Sequence, residues 1–387
     1  MNWQMSGIIV SVAVWCALGL VYFAPAVRRA LLACSRVARD YPGRAAFGAL
    51  AACVFVLYGG TKPAGIDVQT FTDDSGNKWF YRDTDNATKA EILAVAAADE
   101  ENMDLVVPDK VGYLCDNDAS KLPVTAIATN AFVEEADKLK SIVVPSSVTT
   151  LATGTFANFS ALTNVTVGVG TLATASISNC PALVSLKISA AEGEAQTIAT
   201  HAIVDCLALS AVDLGAATSL ASGAIATCPS LKSLTVPGSI GNLAAGALAE
   251  TGLTNVTLES GVETIAVGAL PSTLEALSVP ASVTGFAGNL FKDYLNLESV
   301  TIAEGALSSG VGAGAFSNCV KLASIALPVS CQTVGASAFH GCSKLAGATF
   351  SAVTTIGESA FYGTKLGEVV LPNTLTSLGE SAFAANA

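Results

Sequence analysis

Histidine is almost missing from this 387-residue chain: His201 and His340 are the only two. General acid–base and nucleophilic catalysis need a positioned base with an orienting partner in hydrogen-bond reach. No carboxylate lies at a consistent offset from either imidazole, and both sit at variable turn positions. Metal spacing is missing too. The ten cysteines include no Cys-x-x-Cys pair and no Cys/His cluster, so a zinc or dithiol site has no ligand set to start from. Asp83-Thr-Asp85-Asn86 and Asp116-Asn-Asp118 are acidic, but they lack the glycine and distal glutamate of a calcium loop. Gly310-Val-Gly312-Ala-Gly314 lacks the Lys-Ser/Thr that follows a phosphate loop. No enzyme and no cofactor are expected.

Charge is scarce as well, at 13% of residues, and it is divided. Residues 1–61 hold Arg28, Arg29, Arg36, Arg39 and Arg44 against Asp40, a net of +4; the rest of the chain carries −16. A surface that acidic repels phosphate, so no nucleic-acid partner is expected. The division itself suggests two compartments. Ser6–Val27 is an uncharged apolar run of 22 residues, long enough to cross a bilayer. Ala45–Thr61 has 17 residues, about 25 Å of helix; Arg44 and Lys62 flank it and can snorkel.

All five arginines lie in or bound the intervening loop, 28–44, which the positive-inside rule places in the cytoplasm. The expectation is a transmembrane helical hairpin (helices about 6–27 and 45–61) as membrane anchor, a lipid bilayer as its partner, and residues after about 62 on the extracytoplasmic side. A rival reading makes Arg28–Arg44 and Ala45–Tyr58 the basic and apolar parts of a signal sequence; no Ala-x-Ala site follows, which favours retention. A third reading makes both runs core helices of a soluble protein.

From about residue 124 to the end the chain repeats itself. One large apolar position recurs at Phe132, Phe156, Ile177, Ile203, Ile225, Leu248, Leu270, Phe291, Phe316, Phe339, Phe361 and Phe383, about 23 residues apart. Five residues before each stands another apolar residue, from Ile127 to Leu378, without exception. Four to seven residues after it comes Leu-x-x-Φ-x-Φ, where Φ is apolar, as in Leu231/Leu234/Val236 or Leu366/Val369/Leu371. The Φ-x-Φ pair is a period-2 signal for a short strand with two side chains inward. Pro145, Pro237, Pro280, Pro328 and Pro372 follow it directly and should end that strand. A unit this small cannot bury its apolar face alone; stacked copies can, so a β-rich solenoid of twelve coils, about 55 Å long at the ~4.8 Å strand spacing, is expected. The last coil is incomplete at Ala387, and self-association at that uncapped C-terminal end is a possible partner mode.

Residues 62–123 read as linker and N-terminal cap. Lys62–Gly65 is the linker, Asp73–Asn77 a turn into the aromatic strand Trp79-Phe80-Tyr81, and Leu105-Val106-Val107-Pro108 a degenerate strand-then-proline unit. Lys89–Ala98 reads as a short helix or a further strand, its alanines and Glu91 leaning helical.

The string Val-Thr-x-Ile-x-x-x-Ala-Phe-x-x-Cys-x-x-Leu-x-x-Val-x-Leu-Pro, closest at Ser337–Cys342 and Ser359–Gly363, resembles the BspA-type leucine-rich repeats of bacterial surface proteins. The likeness spans about residues 105–387; the middle repeats depart from it with Ala-Ile or Ala-Leu in place of Ala-Phe. It implies short parallel strands stacked in a right-handed superhelix, and a role in adhesion or protein–protein interaction.

Cys180, Cys206, Cys228, Cys319 and Cys342 all stand three residues after the large apolar position and read as small core residues. A bridge between neighbouring coils, such as Cys206 to Cys228, stays open. The surface that remains is the outward side of the strands. Its candidate binding residues are Asn164, Thr166, Ser185, Lys187, Asp213, Ser233, Thr235, Asn255, Thr257, Ser278, Ser299, Thr301 and Thr349. Small, hydroxyl-rich and nearly uncharged, that face suits a protein or glycan ligand. The alternative is a structural envelope scaffold or self-associating spacer with no soluble ligand.

Overall fold

The Φ-x-Φ segments form strands that lie on one another in parallel and in register. In the computed structural model, which describes residues 68–85, 88–98, 103–112, 121–189 and 195–386, Leu139–Val144 pairs with Asn164–Val167, which pairs with Ser185–Ile188, which pairs with Ala211–Asp213. A second run stacks Ser233–Val236, Asn255–Leu258, Ala276–Val279 and Ser299–Ile302; a third stacks Ser324–Leu327 on Gly347–Phe350. Inward residues land on inward residues, as at Ile142, Val165 and Leu186, each almost fully buried. The strands end at Val144, Val236, Val279 and Leu327, each directly before a proline.

Two more columns complete each coil. The residue five before the large apolar position sits in a two- to four-residue strand, such as Thr171–Leu172 or Thr355–Ile356, paired to the same place in neighbouring coils. The large apolar position itself forms a ladder from Phe156–Ala157 to Ile225–Ala226. Beyond that the ladder loosens into turns, but the same backbone bond persists: the N–H of Phe316, Phe339 and Phe361 donates to the carbonyl of Ala338, Ala360 and Ala382, each at 2.7 Å.

Phe132, Ile225 and Phe361 belong to one continuous core. Phe291, Phe316, Phe339, Phe361 and Phe383 stack face to face with centroids 5.1–5.2 Å apart. Burying each such ring contributes about 1.5–3 kcal/mol before ordering entropy is subtracted.

At the start of the solenoid, β1 (Val68–Thr72), β2 (Lys78–Thr84), β3 (Lys89–Ala96), β4 (Met103–Val106), β5 (Lys110–Val111) and β6 (Leu122–Ile127) replace a regular coil. One sheet runs in the order β1-β2-β3-β6-β5. The Asp73 turn is built around its carboxylate, which accepts from the Ser75 and Asn77 amides and from Trp79 Nε1 at 2.8 Å. That bond lets Trp79 bury completely and set its ring edge-on to Phe132, the first of the stacked rings. β4 starts the main ladder by placing Leu105 against Ile142, as its degenerate strand pattern suggested.

Two expectations are corrected. Lys89–Ala98 is not helical: β3 pairs with β2 antiparallel and with β6 in parallel. Ala90 and Ile92 are buried on its inner side while Glu91 pairs outward with Arg82. Alternating burial between two partner strands outweighs alanine's helix preference. Leu366–Leu371 makes no strand; the main ladder stops at Gly347–Phe350, Val370 is 81% exposed and Leu371 40%. Gly367 in its middle has no side chain to pack, which weakens a strand interior.

The expected hairpin (6–27 and 45–61), its loop 28–44, the linker Lys62–Gly65, and Asn86, Cys115 and Asp116–Asp118 lie outside the described residues. Among the described residues no helix is long and apolar enough to cross a membrane.

Candidate functional site

Because side chains alternate along each strand and the strands stack in register, the outward residues form two rows. One row runs Asn164, Ser185, Ala211 and, beyond a gap, Ser233, Asn255, Ala276, Ser299; the other runs Thr166, Lys187, Asp213 and then Thr235, Thr257, Ser278, Thr301. Thr349 pairs with Ala326 in the third run. Ten of the thirteen candidates are exposed, and Thr166, Ser185 and Ser278 are half-buried. All thirteen therefore face out as the period-2 reading requires. They do not form one uninterrupted surface, because the ladder is broken twice.

The first break makes a cavity. No backbone hydrogen bond joins Ala211–Asp213 to Ser233–Val236, although the two strands are consecutive in the stack. In regular steps the residue after the second Φ donates its N–H to the coil before, as Gly168 does to Val144 and Glu259 to Val236. Across the gap Pro237 has no N–H to give, although Pro280 stands at the same place after a strand that is paired; on the paired side, toward Ile188, the Gly215 N–H turns back to Asp213 Oδ1 at 2.9 Å. Gly215 lies at φ +56°, and a Cβ there would stand 2.1 Å from the Ile188 carbonyl oxygen, so only glycine fits. The same coil carries a bulge opposite Gln196–Thr197.

The resulting cleft, about 730 Å³, is lined by Ser185, Lys187, Asp213, Ser233, Thr235, Asn255 and Thr257 among others, seven of the thirteen candidates. Lys187 Nζ lies 3.8 Å from Asp213 Oδ2 on its wall, an exposed pair worth little in stability. At the second break, between Ser299–Ile302 and Ser324–Leu327, the Ala323 N–H still reaches the Glu298 carbonyl.

The remaining candidates for chemistry resolve into structure. His201 is an exposed turn residue at φ 50°, and His340 stacks on Tyr362 with centroids 5.0 Å apart. Among the described residues no three His, Cys, Asp or Glu side chains gather as a metal set would. Cys180, Cys206, Cys228, Cys319, Cys331 and Cys342 are buried free thiols. Hydrogen bonding to Cys206, then burial, pushes Cys180 and Cys228 up, while the same bonds draw Cys206 down; Cys342 and burial push Cys319 up. Protonated thiols of this kind are poor nucleophiles.

Their position has a structural reason that spacing alone does not reveal. Cys180, Cys319 and Cys342 donate from Sγ to the carbonyls of Phe156, Phe291 and Phe316, the large apolar position one coil earlier. Tyr294 does the same to Leu270 at 2.6 Å, while Thr251 and Thr364 donate to Leu248 and Phe361 in their own coils.

The family model described as "BspA type Leucine rich repeat region (6 copies)" matches residues 125–247, 168–273 and 270–387. No curated protein matches the chain. Similar solved structures include a leucine-rich cell surface protein from Faecalibacterium prausnitzii A2-165, at 20% identity over 82% of this chain and 86% of that one, with a TM-score of 0.32. A leucine-rich repeat protein from Bacteroides ovatus ATCC 8483 is 19% identical over 81% and 92%, with a TM-score of 0.31. The pneumococcal vaccine antigen PcpA is 16% identical over 80% and 93%, with a TM-score of 0.33.

Proposed function

The chain belongs to the BspA-type leucine-rich-repeat family, and from that premise we propose that it is a non-catalytic binding protein that uses the outward strand face for adhesion or protein–protein interaction at a cell surface or in the envelope. One observation carries the reading: thirteen mostly small, mostly uncharged polar side chains face outward from stacked strands, in register within each of three runs, with none of them buried. A rigid scaffold that presents mostly small hydrogen-bonding side chains coil after coil suits an extended partner.

In this reading residues 1–61 anchor the chain in a bilayer through 6–27 and 45–61, residues 62–123 link and cap, and 124–387 display the face outside the cytoplasm. The charge division, net +4 before residue 62 and −16 after it, supports that orientation. Photo-crosslinking on intact cells tests the proposal. A photoreactive residue at Thr257 or Thr301, on the face, is compared with one at Ser343, an exposed turn residue. Adducts with another protein or glycoprotein from Thr257 and Thr301 but not from Ser343 are expected. Equal yields from all three, or adducts of the chain with itself alone, would defeat it, the latter in favour of a scaffold.

A further inference from the structure

We propose that the solenoid is hinged at the broken ladder, its two halves rocking so that the outward face opens and closes between Asp213 and Ser233. The use of such a movement rests on that face being the binding surface; the hinge itself rests on where backbone bonds are made and where they are not.

The break is not confined to one pair of strands. Along one turn of the chain, residues 211–220 face residues 233–243, and both ladders on that stretch are interrupted. Ala211–Asp213 is unpaired with Ser233–Val236, and Ala217–Leu220 is unpaired with Asn242–Leu243. The flanking bonds go as well. In paired steps the residue before an outward strand donates to the coil before, as Thr254 does to Lys232 and Glu275 to Thr254; Lys232 makes no such bond to Ser210. The residue after the second strand does likewise, as Ala221 does to Ile198 and Ala266 to Leu243; Ala244 makes no such bond to Leu220. A side chain crosses where the backbone does not: Ser239 Oγ donates to the Ala217 carbonyl at 2.7 Å.

The third side of the same turn stays closed. The Gly223 N–H donates to the Gly246 carbonyl at 2.8 Å, Thr227 to Glu250 at 2.9 Å and Gly252 to Cys228 at 3.2 Å. Backbone hydrogen bonds are directional and fix a spacing, whereas apolar contact is non-directional and tolerates small shifts. Across the open sides the halves meet through the continuous core, to which Leu214, Leu220, Leu234, Ile240 and Leu243 belong. A joint bonded along one edge and merely packed along the others turns about the bonded edge. Gly223 and Gly246 lie on that edge at φ +63° and +73°, backbone that glycine holds without strain. Hinges are a few turn residues of this kind that absorb the change in φ and ψ. The buried leucines set the limit. Exposing them is costly, so the movement is a rock and not a separation.

The other interruptions leave the outward face better held. Thr264–Ile265 is unpaired with Gly285–Phe286, and no backbone bond joins the turns at Leu270 and Phe291. There the outward strands Asn255–Leu258, Ala276–Val279 and Ser299–Ile302 remain bonded to one another, so that joint keeps the face closed. At the break after Ile302 the second ladder continues, with Val311 opposite Val334.

Double electron–electron resonance on the full chain in nanodiscs tests the hinge. Nitroxides are attached through p-acetylphenylalanine, which leaves the native thiols untouched. Asn164 and Asn255 lie in one outward row, four strand steps apart, with the joint between them. Asp104 and Ala211 lie in the same row, also four steps apart, without it. All four positions are exposed. Each pair spans about 19 Å at the ~4.8 Å strand spacing, and the label tethers add the same spread to both. The pair across the joint is expected to give a distance distribution at least about twice as wide as the control pair. Ser239→Ala, which removes the side-chain bond across the joint, should widen it further and leave the control unchanged. Equal widths in the unmodified chain, or a Ser239→Ala widening shared by both pairs, overturns the hinge. If the widths are equal while Thr257 and Thr301 still crosslink to a protein, this inference falls and the binding role stands. If the widths differ and nothing crosslinks, the hinge stands and its use in binding falls.

Discussion

Replacing Phe339 by alanine strikes the solenoid where its stack is most regular. The ring is fully buried, with Phe316 5.1 Å above at 4° and Phe361 5.1 Å below at 6°. A buried Phe→Ala change costs about 3–5 kcal/mol. Losing two stacked neighbours, each worth about 0.5–1.5 kcal/mol beyond area, places this one in the upper half of that range, about 4–5 kcal/mol. Phe383→Ala is the internal comparison: its ring is half-buried and stacks on Phe361 alone, so about 1–2 kcal/mol is expected.

Because coils contact only their neighbours, the loss should be local. Native-state hydrogen exchange reads this directly. The Phe316, Phe339 and Phe361 amides, bonded to Ala338, Ala360 and Ala382, should lose protection in Phe339→Ala. Those of β2 and β3 should not. A uniform loss along the chain, or a Phe339→Ala effect no larger than that of Phe383→Ala, would refute the reasoning, because the stack would then not be the unit that holds neighbouring coils together.

Gly335→Ala should cost about 1–3 kcal/mol in a thermal or denaturant melt, since a Cβ there would meet the Ala313 nitrogen at 2.5 Å and the Gly312 carbon at 2.7 Å; Gly367→Ala, with nothing within 4 Å, should be neutral or slightly stabilising. Burial, with Cys319 nearby, pushes the Tyr294 phenol up to about 12, from an unfolded value near 10. The folded state therefore favours the neutral phenol, so its contribution is complete below about pH 10 and is lost as pH rises toward 12. Wild type should lose melting temperature across that window by more than Tyr294→Phe, which should be less stable at neutral pH because the Leu270 carbonyl loses its donor.

The periodic parts of the fold were legible because each coil buries the same positions against the next. Phe132 to Phe383, and the Φ-x-Φ strands before Pro145, Pro237, Pro280 and Pro328, could be placed from spacing alone. What was missed lies where the chain departs from its own period. Lys89–Ala96 has one copy, so its alanines had to be weighed by propensity, and partner strands overrode them. The glycines at 312, 335, 357 and 379 answer a close backbone approach that spacing does not encode. The cleft residues were on the candidate face, but nothing in the pattern singled out seven of them. The one long step, 26 residues from Leu186 to Val212 against 21 to 23 in most, lies between paired strands, and the step across the gap, Val212 to Leu234, is a regular 22, so spacing does not mark the break.

The inward side of this molecule leaves little room for ligand chemistry. Its stacked rings must match the rings beneath, and the residue three further on in most coils hydrogen-bonds a backbone carbonyl, as Cys180, Cys319 and Cys342, Tyr294, and Thr251 and Thr364 do, while Phe159 fills the same place by packing alone. Cysteine at this column is then a small apolar residue with one donor, which explains why it alternates with threonine and why no metal or disulfide geometry accompanies it. A side chain bound to that duty cannot also serve a ligand. Sequence freedom collects on the outward rows, where residue identity changes from coil to coil without disturbing the stack. The ladder itself opens between Asp213 and Ser233, where Pro237 has no N–H to donate to the coil before. Among the described residues the outward rows and the open ladder meet at the cleft between Asp213 and Ser233.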